Sequence, residues 1–127
     1  MSPMNDFEET DSAEDMFDVE WCSIVDVVLK VVVYKDMEER LTENGPRKLI
    51  AVDMPDGTHT AFLTSSKTVI TQMTKQKEGN RLPVRAMMKL VTYGGAFTGF
   101  KLFPPSSEVT EEDRLLLQRY KKTKFKH

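Results

Sequence analysis

The sequence predicts a mainly β domain, a five-stranded barrel carrying one internal helix, and three observations predict it. Valines crowd a run near residue 30, two later segments alternate polar and apolar residues, and a short stretch of helical period separates two pairs of strands. Residues 22–104 would form this domain, with residues 1–21 as an acidic disordered arm before it and residues 105–127 as a basic helical tail after it.

Each element has a local reason. Ser23 to Lys35 holds six valines, one isoleucine and one leucine, and β-branched side chains pack well on a pleated sheet. It reads as one long, bent first strand. Asp36 to Arg47 is polar and contains Asn44-Gly45-Pro46, which reads as a long mobile loop. Lys48 to Asp53 is the second strand, with Ile50 and Val52 on one side. Pro55-Asp56-Gly57 is a turn, because Pro presets φ and Gly accepts positive φ. Thr58 to Leu63 follows as the third strand, with Ala61 and Leu63 facing in.

The period then changes. Thr64-Ser65-Ser66 offers capping hydroxyls, and Val69, Ile70 and Met73 fall at helical spacing within Lys67 to Lys77. Leu82 to Tyr93 is a fourth strand, with Val84, Ala86, Met88 and Leu90 on one face. Gly94-Gly95 makes a turn into a fifth strand, Phe97 to Phe103, whose Phe100 and Leu102 face inward; Pro104-Pro105 stops it. Thr110 and Asp113 have capping-box spacing ahead of Leu115, Leu116, Leu117 and Tyr120, so a last helix is expected there. The order β-β-β-α-β-β is that of the OB-fold, a partly open Greek-key barrel.

Charge separates along the chain. Net charge is −2, but residues 1–20 hold eight acidic and no basic side chains, while residues 21–127 are net basic. This asymmetry points to a polyanion partner, with an acidic segment able to compete for the same surface. The acidic start is the reverse of a secretory leader, and no apolar run could span a bilayer, so a cytoplasmic location and no membrane contact are expected. Cys22 is the only cysteine, and the histidines are His59 and His127. With no histidine pair, glycine-rich phosphate loop or nucleophile with a base, neither an enzyme nor a cofactor or metal is expected.

If the alternation holds, Arg85, Lys89 and Tyr93 project outward beside Phe97, Lys101 and Phe103, with no acid among them. Single-stranded nucleic acid asks for this mixture, since phosphates attract cations and unpaired bases stack on rings. Tyr34, Lys35, Arg40, Arg47 and Lys48 would join them from the loop between the first two strands. In the acidic arm, Phe7, Phe17 and Trp21 are candidate docking residues for protein partners.

The segment Thr64-Ser65-Ser66-Lys67-Thr68-Val69-Ile70-Thr71-Gln72-Met73, then Leu82-Pro83-Val84-Arg85-Ala86 and the aromatic last hairpin, resembles small phage-encoded single-stranded DNA-binding proteins over roughly residues 48–103. The resemblance implies an OB-fold and DNA binding with little sequence preference, in viral replication or recombination in the host cytoplasm. The acidic arm and basic tail depart from the simple family pattern. They leave open a host-protein adaptor or inhibitor acting through the arm, self-association through the tail, and RNA as the ligand.

Overall fold

The computed structural model describes residues 16–93 and 97–125. Its strands are β1 (Val31–Thr42), β2 (Gly45–Asp53), β3 (His59–Thr64), β4 (Val84–Tyr93) and β5 (Phe97–Phe103), with helices α1 (Lys67–Glu78) and α2 (Glu111–Phe125). They form one antiparallel sheet in the order β3-β2-β1-β4-β5. Among the described residues β3 and β5 do not pair, so the sheet is open rather than a closed barrel. No described helix is long and apolar enough to cross a membrane.

The valine-rich run is not one strand. Ser23 caps a 3-10 turn, Ile24–Val27: its hydroxyl accepts from Val25 N, and Asp26 accepts from Ser23 N at 3.0 Å. This local box competes with the extended chain for the same backbone groups. Leu29 then takes a left-handed φ of 64°, the chain reverses, and its N–H donates to Met88 O at 2.8 Å. Val25, Val27 and Val28 are buried all the same, so their apolar character could not reveal the turn.

Residues 36–47 are also not a loop. They form most of the β1–β2 hairpin, which turns at Glu43-Asn44 into Gly45, where φ is +100°. Beyond Met37 the hairpin side chains leave the core and are mostly polar, with apolar Leu41 exposed. Cross-strand chemistry holds it instead, with Lys48 bonded at 3.3 Å to Glu39, its directly opposed partner. A bulge between Tyr34 and Asp36 shifts the register, so that Val32, Tyr34 and then Met37 all turn inward.

The core lies between the inner face of the sheet and α1. Val32, Tyr34, Ile50, Val52, Phe62, Met88 and Leu90 meet Val69 and Met73 there. Ala86, Met88 and Leu90 are inward as expected, and Phe100 and Leu102 pack on the same cluster. β3 is one residue out of the expected register: Phe62 enters this core, while Ala61 lies in a second cluster with Leu49, Ala51 and Phe17, against which Leu63 packs. β2 and β3 are therefore covered on both faces, and Leu49–Val52 is buried without alternation.

Residues 16–22 supply that second cover. Phe17, expected in a disordered arm, is 9% exposed and packs on Leu49, Ala51 and Ala61. Cys22 N donates to Ala61 O at 2.8 Å along the outer edge of β3, and Thr60 Oγ1 donates to Glu20 O at 2.6 Å. At the other edge, the Gln72 side chain bonds both Leu102 O (3.0 Å) and Leu102 N (2.8 Å). The expected capping box is present at α2, with Thr110 N on Asp113 Oδ2 at 3.0 Å and Asp113 N on Thr110 Oγ1 at 3.1 Å. Leu116, Leu117 and Tyr120 of α2 reach the core, whereas Leu115 stays exposed.

Candidate functional site

On the outer face of β4 and β5, register sets Met87 opposite Phe103, Lys89 opposite Lys101 and Tyr93 opposite Phe97. Two ammonium groups approach the Phe103 ring, Lys89 Nζ at 5.3 Å and Lys101 Nζ at 5.5 Å from its centroid. Arg85 and Lys101 are exposed. The side chain of Phe97 lies outside the described residues, as do Phe7 and the Gly94-Gly95 turn.

Several expected contact residues are committed elsewhere. Lys89 pairs with Asp113 at 3.0 Å and donates to Glu108 O at 2.7 Å, so it ties α2 to the sheet rather than facing a phosphate. Burial alone would raise the Asp113 carboxyl, but hydrogen bonds from Thr110 and Lys89 outweigh it and hold the group below its ordinary value. Tyr34 is 0% exposed, which removes it from any surface. Its hydroxyl has no hydrogen-bond partner among the described residues, and burial pushes its pKa well above the usual tyrosine value. Lys35 is bound to Asp53 at 2.9 Å, and His59 bonds the same carboxylate. Lys48 is paired with Glu39, and Arg40 with Glu38. The β1–β2 connection thus spends most of its cations on its own acids.

Arg47 is the exception, and it leads to a different place. A cleft of about 620 Å³ opens at the unpaired seam between β3 and β5. Arg47 comes from β2, Lys67 and Thr68 from the start of α1, Tyr93 from β4, Thr98 and Phe100 from β5, and Tyr120 from α2. No Asp or Glu among the described residues lines it, although the chain carries 20 acidic side chains. Tyr93 is 43% exposed, with its hydroxyl 3.4 Å from Thr68 Oγ1. The Cε2 edge of its ring lies against Gly99: a Cβ there would stand 2.7 Å from Tyr93 Cε2, so only glycine admits this placement. Tyr120 meets Phe100 edge to face, with centroids 5.5 Å apart.

A smaller cleft of about 240 Å³ shares Ile24, Arg47, Leu63 and Tyr120 with the first and extends it to Trp21. Trp21 is 46% exposed, under the Arg40 guanidinium at 5.8 Å. Of the three aromatic residues expected to dock a protein partner, Phe17 is buried and Trp21 edges this groove. The groove therefore strings Trp21, Tyr120 and Tyr93 along one seam beside Arg47 and Lys67.

Sequence reasoning missed Tyr120 and Lys67. Tyr120 was legible only as part of an apolar helical stripe, because its ring indeed packs on Phe100. Lys67 was legible as the first residue after the Ser65-Ser66 caps, but nothing local placed it opposite Arg47. Among the described residues no three His, Cys, Asp or Glu side chains group as metal ligands.

Fold and groove together define a small mainly β domain with an open five-stranded antiparallel sheet and an aromatic and cationic seam that no acid lines among the described residues. Residues 18–103 match the family described as Domain of unknown function (DUF8468), and the chain belongs to that family. No curated protein and no solved structure matches it.

Proposed function

We propose that this chain is an opened OB-type barrel that binds single-stranded nucleic acid, with little sequence preference, along the seam between β3 and β5. β1 pairs with both β2 and β4, and the internal helix follows β3, an arrangement compatible with a five-stranded Greek-key barrel parted at one seam. The reading rests above all on the lining of the 620 Å³ cleft, where two tyrosines and two cations stand with no acid among the described residues. Stacking on such rings contributes roughly 1–3 kcal/mol per base, and Arg47 and Lys67 would neutralise phosphates. The resemblance to phage-encoded single-stranded DNA-binding proteins supports DNA as the ligand, in viral replication or recombination.

The test is fluorescence anisotropy of the full chain with labelled oligo-dT, oligo-U and duplex of equal length, at two salt concentrations. The expected result is micromolar or tighter binding of single strands, weaker binding of duplex, and loss of affinity with salt. Equal binding of duplex and single strand, or none of either, would overturn it.

A further inference from the structure

We infer that the binding track does not end at the β3–β5 cleft but continues between α1 and β5 into a second basic cleft, so that one strand of nucleic acid occupies both. This rests on the function proposed above. The second cleft has a volume of about 380 Å³ and is lined by Lys75 and Gln76 of α1, Arg85 of β4, and Phe103 with Pro104 and Pro105. Like the first, it has no acid in its lining among the described residues.

Successive stretches of the same helix and the same strand border the two clefts. Lys67 and Thr68 begin α1 in the first cleft, and Lys75 and Gln76 continue it in the second. Thr98 and Phe100 begin β5 in the first, and Leu102 and Phe103 continue it in the second. The Gln72–Leu102 hydrogen bonds join helix to strand, and both residues line the second cleft on its side toward the first, so the link there is neutral. Each cleft offers the same pairing of ring and cation: Tyr93 with Lys67 and Arg47 in one, Phe103 with Lys75 and Arg85 in the other. Exposed Lys101, over the Phe103 ring, adds charge at the far end.

Their separation sets the ligand length. From Lys67 to Lys75 is roughly 12 Å along a helix axis, and from Thr98 to Phe103 is roughly 17 Å along a strand. At about 3.4 Å per phosphate in a stacked strand, this is about four or five nucleotides. A four-nucleotide ligand would fill one cleft, while a twelve-nucleotide ligand would cross both.

The experiment measures affinity and salt dependence for dT4 and dT12 with the wild-type chain and with two double variants, Lys75→Ala/Arg85→Ala and Arg47→Ala/Tyr93→Ala. Lys75 and Arg85 are both exposed, and circular dichroism checks that each variant keeps its fold. The expected slope of log affinity against log salt steepens from about −1.4 for dT4, with two phosphates neutralised, to about −2.8 for dT12, with four. Lys75→Ala/Arg85→Ala should weaken dT12 about tenfold and leave dT4 unchanged; Arg47→Ala/Tyr93→Ala should weaken both. Equal wild-type affinities for dT4 and dT12, or dT12 binding untouched by Lys75→Ala/Arg85→Ala, overturn the extended track while leaving the first cleft standing. Failure of the wild type to bind either oligomer overturns the functional reading and this inference with it.

Discussion

Gly99→Ala is the sharpest probe of the seam, because it moves one ring without removing any atom proposed to touch the ligand. Gly99 sits in β5 with no left-handed φ, so alanine suits its backbone and the only conflict is with Tyr93. The added Cβ would stand 2.7 Å from Cε2 and 3.4 Å from Cδ2, distances that force the ring to swing aside. Tyr93 is the last residue of β4 and is 43% exposed, so the ring has solvent to swing into. Stability should therefore change by less than about 1 kcal/mol. Binding should suffer more. Loss of one stacked base costs roughly 1–3 kcal/mol, which is about 5- to 150-fold in affinity. Anisotropy with oligo-dT gives the affinity, and the ring-current shift of the Gly99 Hα protons in the wild type verifies the starting geometry. If that shift confirms the ring edge against Gly99 and Gly99→Ala still binds oligo-dT as the wild type does, stacking on Tyr93 is not part of recognition.

Other outcomes follow from the packing and charge of the sheet. Phe17→Ala should destabilise the fold by about 3 kcal/mol in urea titrations, because the side chain fills the second cluster over Leu49, Ala51 and Ala61; an unchanged midpoint would mean residues 16–22 are a loose flap. Tyr34→Phe should stabilise by about 1 kcal/mol, since it removes a buried hydroxyl without a partner among the described residues, and a loss of stability would show that the hydroxyl is satisfied. Asp113 has a depressed folded pKa, so its contribution is full above its unfolded value near ~3.9 and is lost as pH falls through the folded one. Acid titration followed by circular dichroism should accordingly show a loss of stability in that window that Asp113→Asn removes.

The parts of the fold that were legible in the sequence are those where one physical demand acts alone. Apart from buried Met87, β4 has one face on the core and the other toward solvent, so its alternation gave the register of Ala86, Met88 and Leu90 directly. β5 followed from Phe100 and Leu102 by the same rule. Where two demands overlap, the pattern is silent. Val25, Val27 and Val28 are buried in a turn as they would be in a strand, so only the Ser23–Asp26 spacing carried the difference. Ala61 and Phe62 are both fully buried, because residues 16–22 cover the face of β3 that would otherwise meet solvent, and alternation could not say which one faces the main core. In the β1–β2 hairpin, Glu39 looks like a loop residue because its stabilising partner, Lys48, lies across the hairpin rather than beside it in the sequence.

The site was legible in kind more than in place. Rings and cations near the last hairpin were expected, and Tyr93, Lys101 and Phe103 lie there. The fate of Lys89 depended on Asp113, 24 positions later, and no local pattern could announce that a helix end returns to this strand. Arg47 and Lys67 belong to separate strand and helix segments, and only the parting of β3 from β5 brings them to one cleft.

That parting carries a hazard which Gln72 mitigates. An unpaired strand rim is a template for another copy's backbone, and stacking of rims is how open sheets polymerise. By bonding both the N–H and the C=O of Leu102, the carboxamide imitates a neighbouring peptide and interrupts the rim within β5. Another copy's backbone would have to displace that carboxamide before it could pair with β5 at this position.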